Sequence, residues 1–237
     1  MEMSPGRPDI LVACATAATA AAHAHLLSSE ELRRARRYAP HRAQEFTAGR
    51  ALLRWALERS LGRWTRTCRI GATDRGKPVL VDLPDTGISV SHSQGTIAVA
   101  VAGGRTVGID VQGPVPPTPG LLRRCCSPAQ QRELAALPAE RQGVAVARRW
   151  AIHEACAKAT GTTPINLPAP YPGPLLADSG SRRGLRWRVL HPLHGAAVCV
   201  AYDDRPQPPA TLALALLAPH RAPDPRPHPP EDGPTSR

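Results

Sequence analysis

Residues 86–112 read TGISVSHSQGTIAVAVAGGRTVGIDVQ. The run ISVSHS (88–93) alternates apolar and polar residues, and TIAVAVAG (96–103) is almost wholly apolar. Gln94-Gly95 between them supplies a two-residue hairpin turn. Gly103-Gly104 makes a second turn, and RTVGIDV (105–111) a further strand that ends at a polar site. Strands joined by such short turns run antiparallel, so this stretch predicts an antiparallel meander.

Helices and strands alternate on both sides of it. DILVACAT (9–16) has the content of a strand. Ser28 with Glu31 three residues on forms a capping box that opens a helix to about Arg37. Pro40 starts a second helix to about Leu61, with Phe46, Leu53, Leu57 and Leu61 as its apolar stripe. Arg42, Arg50, Arg54 and Arg59 are expected on its polar side, and Gly62 ends it. A turn at Arg75-Gly76 precedes a short β segment after Pro78. On the C-terminal side, GPVPPTPG (113–120) reads as a loop. A helix follows from Ser127-Pro128, and another from about Ala139 to Thr160, closed by Gly161. After a Pro-rich segment to about residue 180, LRWRVL (185–190), AAVCVAY (196–202) and TLALALLA (211–218) read as strands. From about Pro219 the chain is Pro-rich and polar without an apolar period, the composition of a disordered tail. The fold class expected is α+β.

The 237 residues carry a formal charge of +11 and a pI near 10.4. Such a surface favours a polyanionic partner: nucleic acid, acidic protein or phosphorylated cofactor. Among 30 basic residues only Lys77 and Lys158 are lysines, and a lysine among arginines marks a place for a compact point charge. Six cysteines without a CxxC pair or zinc spacing read as small buried residues in a reducing compartment. The apolar run Ile10–Ala22 follows a segment without net positive charge and is too short to span a membrane. A cytoplasmic location is therefore expected.

Two segments carry chemistry. In GIDVQG, Asp110 and Gln112 share one face of a strand, and a carboxylate beside an amide oxygen suits a hard cation. A plain strand-end Asp capping the next turn would look the same. In RRWAIHEACAKATG (148–161), Trp150, Glu154 and Lys158 stand four apart on one helix face. A solvated Glu–Lys pair is the ordinary reading. However, Ala155, Cys156, Ala157 and Ala159 imply a buried helix, whose Glu needs a partner such as a cation. DRGKP places Lys77 after a tight turn, and SVSHS (89–93) carries Ser91 and His92 at the end of a strand, where a strand-edge histidine without a ligand would look the same.

Taken in order, GRALLR, GKP, ISVSHS, GIDV and W-x-x-x-E-x-x-x-K-x-x-G resemble the 4′-phosphopantetheinyl transferases of the surfactin-activating (Sfp) type, over about residues 26–202. The resemblance implies two similar α/β halves in one chain, with the active site between them; with the composition this gives 1–112, 113–218 and a tail at 219–237, and a monomer is expected. It implies transfer of 4′-phosphopantetheine from coenzyme A to a serine of an acyl or peptidyl carrier protein, with release of 3′,5′-ADP. The metal would be Mg²⁺, with Mn²⁺ as an alternative. Asp110 and Glu154 match the metal-binding acids, and Lys158 matches the lysine that stabilises the pyrophosphate. Lys77 with Pro78 of the GKP motif, Ser91 and His92 match coenzyme A-binding positions. Arg33 matches a basic position reaching the nucleotide, and Arg50 of GRALLR is a further candidate. Gln112 stands where the family often has a second acid, so it would bind the metal directly or through water. His153 replaces the lysine before the catalytic Glu. The proton of the attacking serine would pass to Glu154 or, preferably, to a metal-bound water.

Carriers served by this family are acidic, which gives the positive charge of this chain a purpose. A degenerate member that binds coenzyme A without turnover would share these motifs. A nucleic-acid-binding protein would share the charge, but one Phe and three Tyr leave little for base stacking. No membrane partner is expected.

Overall fold

The computed structural model describes residues 9–167, 173–190, 195–204 and 211–217. The elements in chain order are β1 (Ile10–Thr16), α1 (Ala17–Ala21), α2 (Ser29–Ala35), α3 (Pro40–Leu61), β2 (Ile70–Ala72), β3 (Pro78–Leu80), β4 (Thr86–Ser93), β5 (Thr96–Gly103) and β6 (Val107–Gln112). They continue with α4 (Pro119–Cys125), α5 (Pro128–Ala135), α6 (Ala139–Thr160), β7 (Ser179–Arg182), β8 (Leu185–Leu190), β9 (Ala197–Asp203) and β10 (Leu212–Leu216). The class is α+β, as expected. The capping box at Ser28–Glu31 is formed on both sides, and a second one joins Ser127 to Gln130. The Pro-rich tail lies outside the described residues.

Two four-stranded sheets, ordered β10-β1-β5-β4 and β6-β9-β8-β7, pack face to face. Between them lie Ile10, Val12 and Cys14 of β1, Ala98, Ala100 and Ala102 of β5, Val107, Ile109 and Val111 of β6, and Val198 and Val200 of β9. Each outer face is covered by one 22-residue helix. Leu52, Leu53, Ala56 and Leu57 of α3 meet the first sheet, while Ala151, Ile152, Ala155 and Ala159 of α6 meet the second. With both faces covered, the central strands are apolar on both sides, which explains why TIAVAVAG lacks alternation.

The meander expected at 86–112 breaks after its first hairpin. β4 and β5 pair antiparallel, but β6 pairs with β9 in the other sheet. The reason lies in the two faces of β6: Val107, Ile109 and Val111 fill the space between the sheets, and the opposite face receives α6. The loop expected at 113–120 is also shorter, because Pro119 occupies the first turn of α4, where a missing N–H costs nothing. The last strand, β10, pairs parallel with β1 and so returns to the first sheet. Arg50 and Arg54 do not lie on a solvated side of α3; both are buried. The reason is a buried carboxylate on α2: Arg54 Nε donates to Glu31 Oε2 at 2.9 Å, and Arg54 Nη1 to the carbonyls of Arg66 and Cys68 at 3.1 and 3.0 Å.

Candidate active site

The site begins with a glycine. Gly108 lies on the β6 face that meets α6, and a Cβ there would stand 2.0 Å from Ala155 O and 2.3 Å from Ala159 N. Only a residue without a side chain lets the helix approach this closely. Asp110 and Gln112 follow on the same face. Asp110 is therefore buried, 5% exposed, beneath the last turns of α6.

Asp110 Oδ1 accepts from Lys158 Nζ and from Ser91 Oγ, both at 2.7 Å, and Lys158 Nζ also reaches Ser91 Oγ at 3.0 Å. Asp110 Oδ2 is buried and has no partner. Burial pushes the Asp110 carboxyl above its ordinary value, against the pull of Lys158, Ser91 and His92. Glu154, one turn before Lys158, is half-buried and is raised by burial and by the negative charge of Asp110, partly offset by Lys158. Two carboxyls and one lysine thus share a desolvated place, and both carboxyls hold a proton more tightly than usual.

Ser91 belongs to a ladder the sequence reading did not see. Ser89, Ser91 and Ser93 alternate along β4 and face the open edge of β6. Ser89 Oγ accepts from Ile109 N–H at 3.0 Å, and Ser93 Oγ from Gly113 N–H at 3.3 Å. The hydroxyls satisfy edge groups that would otherwise lack partners. The S-x-S-x-S spacing was the available signal.

His92 faces the other way. Its Nδ1 lies 3.0 Å from Glu45 Oε1 and its Nε2 3.0 Å from Arg42 Nη1. Because a guanidinium only donates, Nε2 accepts and Nδ1–H donates to Glu45, which assigns the neutral imidazole. Burial, ahead of the opposing effect of Glu45, lowers its pKa. His92 lines a cavity of about 190 Å³ together with Arg34, Phe46, Arg50, Gly76 and Pro78. Arg34 and Arg50 stand over the Phe46 ring at 5.5 and 5.4 Å, in cation–π range. Arg50 Nη1 is buried without a partner. Desolvation lowers the Arg50 pKa, while Glu31, 3.9 Å away, opposes this.

The structure thus gathers Asp110, Glu154, Lys158 and Ser91 in one cluster and Arg50, Pro78 and His92 in another. They adjoin across β4, where Ser91 and His92 occupy opposite faces. Gln112 is half-buried on the Asp110 face. Arg33 is not in the cavity; it lines a neighbouring surface depression with Glu30, Arg34 and Arg37. Lys77 is not there either: its Nζ donates to the carbonyl of Ala159 at 3.0 Å. His153 is buried, and its Nε2 lies 2.8 Å from Pro164 O. Arg34, Arg42, Glu45 and Phe46 were missed, because one basic residue among many on an Arg-rich helix carries no signal of its own.

A divalent cation can be tested against these residues. Among the described residues no group of three or more His, Cys, Asp or Glu side chains is disposed to hold a metal. Asp110 and Glu154 nevertheless offer two hard carboxylates, with Gln112 as an amide oxygen on the same strand face. The buried and unpartnered Asp110 Oδ2 is the atom a cation would satisfy. The residues fit an ion that keeps several waters.

Residues 106–166, which include Asp110, Gln112, Glu154 and Lys158, match the model of the 4′-phosphopantetheinyl transferase superfamily. The chain is 38% identical over 141 residues to the 4′-phosphopantetheinyl transferase HetI of Nostoc sp., covering 57% of this chain and 60% of that protein. It is 28% identical over 155 residues to a 4′-phosphopantetheinyl transferase of Bacillus subtilis, covering 65% and 68%. It is 26% identical over 192 residues to the 4′-phosphopantetheinyl transferase Sfp of Bacillus subtilis strain 168, covering 76% and 85%. The first match leaves two fifths of the Nostoc protein unspanned. The resemblance read from the motifs is thereby shown: residues 106–166 match the superfamily model, and the chain is similar to the 4′-phosphopantetheinyl transferases HetI and Sfp.

Proposed function

We propose that this protein transfers the 4′-phosphopantetheine arm of coenzyme A to a serine of a carrier protein, with Mg²⁺ at Asp110 and Glu154, and releases 3′,5′-ADP. The observation that carries the reading is the buried Asp110–Lys158–Ser91 cluster with Glu154 beside it and one carboxylate oxygen unpartnered. A divalent cation, when bound, supplies charge neutralisation to the phosphate oxygens. Lys158 is placed to neutralise charge on the leaving phosphate as it develops. The proton of the attacking serine passes to Glu154 or, preferably, to a water beside it, because a carboxylate that holds a cation is a poor base. Gln112 lends an uncharged oxygen where a second acid is frequent in the family.

The cavity beside His92 suits the nucleotide end of coenzyme A. The unpartnered Arg50 Nη1, with Arg34 and Arg42 near it, supports recognition of phosphate. The two-half reading is supported by connectivity. β1 and β6 each pair antiparallel with the last strand of a hairpin, β5 and β9, and a 22-residue helix intervenes in both. The positive charge suits acidic carriers. Six free, buried cysteines support a reducing compartment. No helix among the described residues is long and apolar enough to cross a membrane.

The test is the intact mass of acyl and peptidyl carrier proteins after incubation with the protein, coenzyme A and Mg²⁺. A gain of one phosphopantetheine, about 340 Da, lost with Glu154→Ala, is expected. Coenzyme A binding without any mass gain on carriers of each type would overturn the reading in favour of a non-catalytic binder.

A further inference from the structure

The backbone closes only part of the last turn of α6. Gly161 sits at φ 68°, and the N–H groups of Thr162 and Gly161 reach back to the carbonyls of Ala157 at 3.0 Å and Lys158 at 3.3 Å. This is the two-bond closure that a left-handed glycine permits. The carbonyls of Ala159, Thr160 and Gly161 lie beyond these two bonds. Side chains from the β2–β3 turn meet the first and the last: Lys77 Nζ donates to Ala159 O at 3.0 Å and Arg75 Nη1 to Gly161 O at 3.3 Å. Two cations thereby stand at the negative end of the helix.

The other side of the same turn has a different neighbour. Ala72, Gly76 and Pro78 line the cavity that holds Arg50 and His92. One short hairpin therefore touches both the candidate nucleotide cavity and the helix end that carries Lys158. Lys77 is half-buried, with its pKa lowered by desolvation, as suits an ammonium committed to a carbonyl rather than to solvent.

We propose that Lys77 is a positioning residue: it holds the last turn of α6 so that Lys158 keeps its contact with Asp110, and it does not bind a phosphate of the cofactor. The consequence for turnover rests on the transferase reading; the clamp on α6 does not. It departs from the coenzyme A contact that the family motif implies for this lysine.

Hydrogen exchange of the full chain decides the matter, with Lys77→Met, Lys77→Gln and Lys77→Arg as variants. In Lys77→Met and Lys77→Gln the amides of Gly161 and Thr162 exchange about five- to ten-fold faster, while Lys77→Arg, which keeps a donor, restores protection. Coenzyme A affinity by calorimetry stays within about two-fold, and kcat falls at unchanged KM for coenzyme A. Unchanged exchange overturns the proposal, whatever the activity. Loss of coenzyme A affinity of about ten-fold or more in Lys77→Met, with kcat preserved, also overturns it and makes the ammonium a phosphate ligand. If the wild-type protein modifies no carrier, the transferase reading fails while the exchange result still decides the clamp.

Discussion

Lys158 Nζ stands 2.7 Å from Asp110 Oδ1, while Oδ2 of the same carboxylate has no partner. One contact joins the last turns of α6 to the edge of β6 and leaves half of a buried carboxylate unsatisfied. Replacing Lys158 by Met removes the cation that pulls the Asp110 pKa down and leaves burial unopposed by it. Turnover of coenzyme A is expected to fall by about 10²- to 10³-fold, the usual loss of a charge aimed at a developing anion. Initial rates of carrier modification at saturating Mg²⁺ measure this.

Glu154 gives the free protein a pH dependence of definite sign. Its folded pKa is raised above about 4.5, so the folded state holds a proton that the unfolded chain has released. The stability this contributes is present below the unfolded pKa and is lost as pH rises through the folded value. In Glu154→Gln the Tm of the metal-free protein is expected to lose that component of its fall between pH 4.5 and neutrality. Mg²⁺ is expected to stabilise the wild type increasingly as pH rises through the same window. Thermal melts with and without Mg²⁺, for both proteins, check the sign.

His153 acts in the opposite direction. Burial lowers its pKa, while the carbonyl of Pro164 opposes this. The unfolded chain therefore takes the proton first, and stability is lost as pH falls through about 6.5 and below. His153→Gln, which keeps a donor for Pro164 O, is expected to flatten the dependence between pH 7 and 5.5. Denaturant midpoints across that range measure it.

Gly108→Ala should be costly for a substitution so small. The added Cβ meets backbone atoms at 2.0 and 2.3 Å, and backbone cannot rotate away as a side chain can. The expected destabilisation is about 3 kcal/mol, the upper end of ordinary overpacking. Urea unfolding measures it. A midpoint equal to wild type would contradict this close approach of α6.

Arg50→Met tests the cavity. A charge-assisted hydrogen bond to phosphate is worth about 1.5–3 kcal/mol, so coenzyme A affinity is expected to weaken by roughly ten-fold or more. Calorimetry reads this. Dephospho-coenzyme A and pantetheine, compared on both proteins, locate which phosphate is involved.

The sequence alone determined the local chemistry. Ser28 and Glu31 fix the start of α2, Gly161 the end of α6, and Asp110, Glu154 and Lys158 are legible because strand and helix periods place them on definite faces. It could not separate β6 from the hairpin before it. Gly103-Gly104 suits a tight turn, but the apolar face of β6 between the sheets and Gly108 under α6 together place that strand in the other sheet. Nor could it tell a solvated arginine from a buried one. Arg42 and Arg54 lie on one helix, yet Glu31, 23 residues earlier in the chain, draws Arg54 inward. Lys77 illustrates the same limit, because its partner carbonyl is 82 residues away. Spacing along the chain specifies which side chains share a face. Which face meets which depends on contacts distant in sequence, and those exist only once the two sheets have packed.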